Sequence, residues 1–522
     1  MSLTSPPLRP FARGDVRAQT SDEAARFDGR AIEKVGVPQP VLMENAGRAA
    51  ASLLHRLYGT SSVVGIVGSG NNGGDALVAL RTLAAWGHDV RAVVVADRSE
   101  EDALLHGWSL GAVADSTLDA SGWGQLLERA DVVIDGILGT GTQGAPRTRQ
   151  AEAIVRINES GRPVVALDVP SGIDASSGEV PGEAIRAELT VSFGAPKIGA
   201  LLHPGRAYVG RHVNVEIGFP PLADTDASVL VATPGWARAR LPVRETDTHK
   251  NRVGRVLVVG GALGMAGAII LAGRAAFSAG AGLVRICSSE ANREAIQAAI
   301  PEAIFVSAED EDDLADAIQA SDAVAVGPGL GTSASSRDLL ARVTKRTTQP
   351  LLLDADALNL LAEDEIGLAR LGEACPVLIT PHPGEMARLN GAPSDRSRVE
   401  VARDFAASRS CAVLLKGAPS VVASREGEVT IDTQSSSDLA VAGMGDALSG
   451  ACAALMAQGL DPATAGAVGL YLSGRAAVLA DRGAGLTPSE VVQRIPDVLS
   501  ERADSSSDLD LPFVTFDADA AR

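Results

Sequence analysis

The sequence predicts an α/β protein made of two doubly wound, three-layer αβα domains, and three observations carry that prediction. A chain of 522 residues that is 46% hydrophobic can bury more than one sizeable core. With 55 glycines and only 3% aromatics, it favours alanine- and valine-rich layers joined by tight strand-to-helix turns over an all-β sandwich. Short apolar runs ending in glycine or an acid recur along both halves, each leading toward a helical stretch, which is the alternation of a parallel sheet. The expected domains are 1–240 and 241–505, followed by an acidic, disordered tail at 506–522.

The formal net charge of −19 argues against a nucleic-acid or anionic-membrane binder, since either gains from a basic face. Cys287, Cys375, Cys411 and Cys452 lie in apolar runs without CxxC spacing, so buried thiols are expected rather than a metal site or disulfides. No apolar run reaches the ~20 residues that span a bilayer, and the N-terminus lacks an apolar signal core. The expectation is a cytoplasmic protein with no membrane partner.

Residues 1–19 are polar and proline-bearing and read as a loose lead-in. Thr20-Ser21-Asp22-Glu23 reads as a capping box, followed by Phe27, Ala31, Ile32 and Val35 at helical spacing. Leu42-Met43-Glu44-Asn45-Ala46-Gly47-Arg48 opens a second helix, on whose surface Glu44 and Asn45 fall by default. Residues 62–67 form a buried strand delivering the loop Gly68-Ser69-Gly70-Asn71-Asn72-Gly73-Gly74-Asp75 to a helix over 76–86. The loop contains GxGxxG, and Asp97 stands where a ribose-binding acid would. Yet the Asn pair and Asp75 put oxygens and negative charge where a dinucleotide turn needs bare N–H groups. Such oxygens suit hydroxyls, an amide or a hard cation.

Two more strands, 132–135 and 164–168, end in Asp135 and Asp168. They are followed by Gly139-Thr140-Gly141-Thr142-Gln143-Gly144-Ala145 and by Val169-Pro170-Ser171-Gly172-Ile173-Asp174. Each acid alone could be a turn cap, but ligands of open parallel sheets bind beyond the strands' carboxyl ends, where all three loops gather.

These motifs, in this order, resemble the NAD(P)HX epimerase domain of the N-terminal YjeF family over residues ~20–235, a Rossmann-like fold. The resemblance implies that Asn72, Asp135 and Ser171 hold K⁺. It also implies that Asn71, Asn72, Gly73, Gly74, Asp75, residues Gly139, Thr140, Gly141, Thr142, Gln143, Gly144 and Ala145, and Asp168 contact the hydrated nicotinamide nucleotide. Asp168 would be the proton-transfer group. An amide, a carboxylate and a hydroxyl are hard oxygen donors, as K⁺ requires.

Residues 190–193 form a further strand leading to Ala195-Pro196-Lys197 and His203-Pro204-Gly205. His203 reads as structural, because no Ser or Cys nucleophile pattern accompanies it. A strand over 213–217 is expected to close the sheet. Pro220-Pro221 with residues 224–226 marks a boundary, and 246–252 is a polar hinge.

The second half restarts the alternation at 256–259, which runs into Gly260-Gly261-Ala262-Leu263-Gly264-Met265-Ala266-Gly267-Ala268 and a helix to about Ala279. Strands at 323–326, 351–353, 377–379 and 413–415 end in Gly327-Pro328-Gly329-Leu330-Gly331, Asp354-Ala355-Asp356, Thr380-Pro381-His382-Pro383-Gly384-Glu385 and Lys416-Gly417-Ala418-Pro419-Ser420. Polar and glycine residues thus collect at one sheet edge, as in a nucleotide site. Ala442-Gly443-Met444-Gly445-Asp446 then enters an apolar helix, where free N–H groups and the helix dipole favour an anion. Asp446 suits a base that deprotonates an attacking hydroxyl, Lys416 a cation for polyphosphate, and Gly445 an N–H donor to the transferred phosphoryl group. His382 and Glu385 either orient substrate or a Mg²⁺-bound water, or simply start a helix.

This half resembles the ribokinase-like ADP/ATP-dependent NAD(P)HX dehydratases, the C-terminal YjeF family, over residues ~245–500. By that resemblance Ala268, Gly329, His382 and Asp446 contact the hydrate. Lys416, Gly417, Ala418, Pro419, Ser420 and Gly445 contact ADP or ATP, with Mg²⁺. The chain departs from the family pattern at Ser435-Ser436-Ser437-Asp438-Leu439-Ala440-Val441-Ala442-Gly443-Met444, which lacks upstream glycines and carries Met444 where threonine is usual. The combined expectation is a bifunctional repair enzyme acting on NADHX and NADPHX, as a homo-oligomer. The alternative is a ribokinase-like kinase of a small vitamin-precursor alcohol with a non-catalytic nucleotide-binding N-terminal module.

Overall fold

The computed structural model describes residues 11–520 apart from 99–103, 105–107, 109, 223–225, 245–246, 248–251, 363–366, 392–395, 435 and 502–506. Most of the hinge expected at 246–252, and Ser435 of the serine run, lie outside the described residues. The chain divides into two compact units, one formed by Pro7–Gly235 with Asp504–Arg522 and the other by Trp236–Ala503.

In the first unit, helix α1 (Ser21–Gly29) begins at the expected capping box: the Thr20 hydroxyl accepts from Glu23 N, and the Glu23 carboxylate accepts from Thr20 N at 2.8 Å. Two longer helices follow, α2 (Gln39–Tyr58) and α3 (Asn71–Ala85). The strands are β1 (Phe11–Ala12), β2 (Ser62–Val67), β3 (Asp89–Val94), β4 (Val113–Ala114), β5 (Val132–Gly136), β6 (Val164–Leu167), β7 (Leu189–Phe193) and β8 (Arg211–Val215). With a C-terminal strand, Val514–Ala518, they form one sheet in the order β1, C-terminal strand, β8, β7, β6, β5, β2, β3, β4. From β8 to β4 every pairing is parallel. Leu53, Leu54, Leu77 and Leu80 of α2 and α3 cover one face, while Trp123, Leu127, Ile154 and Ile157 cover the other. Helices on both faces of a parallel sheet make the three-layer fold that the sequence predicts.

Three expectations are corrected. The Asn71–Asp75 segment is not a loop but the first turns of α3, capped at Gly70. Its glycines serve close packing, since a Cβ on Gly73 would stand 2.1 Å from the Gly68 carbonyl oxygen. The lead-in is partly structured, with β1 in the sheet and Val16–Ala18 paired antiparallel with Val229–Ala232. The acidic tail expected to be disordered supplies the strand Val514–Ala518, which pairs antiparallel with both β1 and β8, so β8 does not close the sheet. Its anchor is Asp517, fully buried, which takes two hydrogen bonds from the Arg211 guanidinium at 2.8 and 2.7 Å and one from Ser507 Oγ at 2.6 Å.

The second unit has its own sheet: β9 (Arg255–Val259), β10 (Leu283–Ser288), β11 (Ile304–Ser307), β12 (Ala323–Val326), β13 (Leu351–Leu353), β14 (Val377–Ile379), β15 (Ala412–Leu415), β16 (Val421–Ala423) and β17 (Val429–Asp432). Their order is β11, β10, β9, β12, β13, β14, β15, β16, β17, parallel through β15 and antiparallel beyond. The functional helices are α4 (Ala266–Ser278), α5 (Pro383–Leu389) and α6 (Met444–Ala457). Helix Pro462–Ala480 is long and apolar enough to cross a membrane by composition, but most of it is buried in this fold. The four cysteines are free and buried, as expected.

Replacing Asp517 by Ala leaves Arg211 without its buried partner. The expected loss is about 3–5 kcal/mol in the first unit, read as faster amide exchange in β8 and the C-terminal strand with β9–β15 unchanged.

Candidate active sites

In the first unit the carboxyl ends of β2, β5, β6 and β7 open on a cavity of about 500 Å³. Of the residues singled out in the sequence, Asn71, Asn72, Asp75, Gly139, Thr140, Gly141, Thr142 and Asp168 line it. Gly73 and Gly74 are packed behind the wall, and Gln143, Gly144 and Ala145 lie further along their loop, outside the lining. Asp168 holds a left-handed backbone (φ 63°), and its Oδ1 accepts from Lys197 Nζ at 2.6 Å. Lys197 is buried and also donates to the carbonyls of Ala195 and Phe193, at 2.9 and 3.2 Å. Around this pair stand two further acids. Burial lifts the Asp28 carboxyl to about 6 despite the attraction of Lys197, with Asp168 adding repulsion. Asp75 is pushed well above the ordinary carboxylate range, first by burial and then by Asp168 and Asp28.

Beside the cavity, Asn72, Asp135 and Ser171 come together as expected. Ser171 Oγ and N donate to Asp135 at 2.6 and 2.8 Å, and burial raises the Asp135 carboxyl to about 6 against those bonds. Asn72 Nδ2 is committed to the carbonyls of Leu138 (2.7 Å) and Leu167 (3.0 Å), and its Oδ1 is buried with no partner among the described residues. An orphaned buried acceptor beside a carboxylate and a hydroxyl fits a hard monovalent cation.

In the second unit the edge of β13 and β15 meets the N-terminus of α6. Asp354, 1% exposed, accepts from Lys416 Nζ at 2.6 Å through one oxygen and from Ser449 Oγ at 2.6 Å through the other. Gly443 caps α6 with φ 89°, a conformation open to glycine, and a Cβ on Gly445 would stand 3.0 Å from Lys416 Nζ. Asp446, in the first turn, has its carboxyl raised to about 6, first by burial, then by repulsion from Asp354, with Lys416 opposing and Asp356 adding. Lys416, Gly445 and Asp446 therefore meet, as expected. Ala268 and Gly329 also meet, since a Cβ on Gly329 would be 3.0 Å from Ala268 Cβ. Ser420 Oγ closes the Gly417-Ala418-Pro419-Ser420 turn by accepting from Gly417 N at 3.2 Å and donating to Gly417 O at 3.0 Å. His382 and Glu385 form a capping box on α5: His382 Nδ1 accepts from Gly384 N and Glu385 N, and Glu385 accepts from His382 N at 2.8 Å. These bonds start α5, and among the described residues neither side chain bonds to Asp354, Lys416 or Asp446.

Residue order alone gives no role to Asp28, Lys197, Asp354 or Ser449. Asp354 carried a signal, as the first acid beyond a buried strand. Lys197 and Asp28 carried little, because their partner is brought to them only by the tertiary fold.

Residues 39–199 match the family model of the YjeF-related protein N-terminus, and residues 256–497 match that of NAD(P)H-hydrate dehydratase. The bifunctional NAD(P)H-hydrate repair enzyme Nnr of Moorella thermoacetica is 37% identical over 487 residues, covering 88% of this chain and 91% of its own. The enzyme of the same name from Escherichia coli K12 is 34% identical over 505 residues, covering 93% and 96%. A solved ADP/ATP-dependent NAD(P)H-hydrate dehydratase from Bacillus subtilis is 30% identical over 51% of this chain and 96% of that one, at a TM-score of 0.45. Matched along both units by such relatives, the chain belongs to the bifunctional NAD(P)H-hydrate repair enzymes.

Proposed function

We propose that the second unit dehydrates the S epimer of hydrated NADH and NADPH with ADP or ATP, and that the first interconverts the R and S epimers. The observation that carries the reading is Asp446 at the N-terminus of α6, beside the Asp354–Lys416 pair. Hydroxide leaves a ring poorly and phosphate leaves well. Asp446 accepts the proton of the ring hydroxyl as its oxygen attacks the terminal phosphorus, and the bond to the nucleotide's bridging oxygen breaks. The first-turn amides of α6 and the Lys416 ammonium face the charge that develops on the phosphoryl oxygens. Phosphate then departs with the C–O electron pair, and loss of a ring proton restores the double bond. Mg²⁺ would enter with the nucleotide, with Asp356 and Asp446 the carboxylates available to its waters.

For the epimerase, Asp168 is the proton-transfer group, oriented by Lys197, with Asp75 and Asn71 on the wall that receives the substrate. Asn72, Asp135 and Ser171 would hold K⁺, which supplies a fixed positive charge beside the substrate. The kinase alternative loses its support, because the relatives match both halves of the chain.

Incubating the chain with mixed NADHX epimers and ADP is expected to regenerate NADH from the whole mixture, followed by absorbance. Asp446→Asn is expected to lower dehydration by roughly 10²–10⁴-fold while epimer exchange continues; full dehydration by this variant would remove Asp446 as the base. Because Asp446 must be ionised to accept a proton and titrates near 6, dehydratase kcat/KM should fall on the acid side of about pH 6 rather than near 4. A profile measured from pH 4.5 to 8 locates that limb. Exchanging K⁺ for tetramethylammonium is expected to lower both epimerisation and the melting temperature of the first unit, and Asn72→Ala should abolish the response to K⁺. A melting temperature indifferent to K⁺ would count against the cation site.

A further inference from the structure

The residues that hold Asp168 in place lead away from the cavity, through the sheet, to the far end of the chain. Asp168 is not glycine, yet its backbone is left-handed (φ 63°) at the turn that aims its carboxylate at Lys197. Such a conformation persists only where its surroundings over-determine it. Its main-chain carbonyl accepts from Ser192 Oγ at 2.8 Å. Ser192, on β7, is fully buried, and its oxygen lies 2.8 Å from His212 Nε2 on the neighbouring strand β8.

The single hydroxyl proton of Ser192 is spent on Asp168, so His212 must donate through Nε2, which fixes its tautomer. His212 Nδ1 then carries no proton and has no partner among the described residues. Burial, with Arg206 and Lys197 adding to it, pushes this imidazole down to about 3, so it is the neutral single donor that the arrangement requires.

What fixes the His212 ring is Phe516 of the C-terminal strand. The two rings meet edge to face, with centroids 5.7 Å apart and planes at 89°. Phe516 pairs with Asn214 and Ala518 with His212, so Phe516 lies diagonally across from His212 on one face of the sheet. The strand is locked in that register by Asp517 on Arg211 and by Asn214 Nδ2 donating to Thr515 Oγ1 at 2.8 Å.

We propose that the C-terminal strand is a positioning element of the epimerase site: Phe516 sets the His212 ring, His212 orients Ser192, and Ser192 holds the Asp168 turn. None of the three touches substrate; each acts through the next. The inference rests on the proposed role of Asp168. It also makes the last residues of the chain, beyond the dehydratase unit, part of the epimerase.

The test is epimer exchange by the full chain without nucleotide, with dehydration by the same samples as the control. Ser192→Ala and Phe516→Leu are expected to lower epimerase kcat about 10-fold or more with KM nearly unchanged, and to leave dehydration as it was. His212→Gln, which keeps a donor near the Nε2 position, is expected to retain most of the activity, whereas His212→Phe should lose it. Wild-type kcat in Ser192→Ala and Phe516→Leu, with Asp168→Asn inactive, would overturn the proposal, and so would a lowered melting temperature at unchanged kcat. An active Asp168→Asn would instead overturn the reading on which it rests. Should Ser192→Ala fail to fold, Phe516→Leu decides the matter alone.

Discussion

In each unit one lysine is held against one aspartate at 2.6 Å, at the carboxyl edge of a parallel sheet, and the rest of each site is arranged around that pair. Burying two charges is costly unless the geometry is good and other bonds satisfy the remaining protons and lone pairs. Both conditions hold: Lys197 also reaches the carbonyls of Phe193 and Ala195, and Asp354 takes the Ser449 hydroxyl on its second oxygen. Each lysine is thus already committed to one carboxylate. The acids standing near the pairs are desolvated without a bonded cation of their own among the described residues, and burial lifts Asp28, Asp75 and Asp446. Both units therefore share one arrangement, a pinned lysine–aspartate pair with a neighbouring carboxyl raised by burial.

Much of this was legible from residue order. Apolar runs that stop at an acid, a glycine or Thr380 located β2, β12, β13 and β14 to the residue, and the strand-end rule put Asp168 and Lys416 just beyond β6 and β15. Misreadings arose where local propensity and tertiary packing disagree. Asn-Asn-Gly-Gly reads as a turn, yet the glycines at 73 and 74 are there because the backbone near Gly68 and the side chain of Met43 come too close for a Cβ. At the C-terminus, acidic and serine-rich composition outweighed a five-residue alternation, Val514 to Ala518, whose partner strand lies some 300 residues away. No local pattern reports a pairing of that separation.

The choice of lysine at both pairs also separates their duties. Only five of the 46 cationic residues are lysine, and two of those five occupy these positions, so the abundant arginine was not an equivalent solution there. A guanidinium is a planar fork suited to bidentate partners, whereas an ammonium presents three donors around a point. At Lys197 all three are used, on Asp168 Oδ1, Phe193 O and Ala195 O, and the nitrogen is buried. Such a lysine cannot bond a ligand without surrendering a bond it has, so its part is to orient Asp168 and to supply a fixed field. Lys416 makes one bond among the described residues, to Asp354, and its side chain remains 20% exposed. Two protons are left for an anion arriving at the first turn of α6, where the backbone has room for one because position 445 carries no Cβ. The two pairs therefore differ in how many lysine donors are already claimed: all three at Lys197, and one at Lys416 among the described residues.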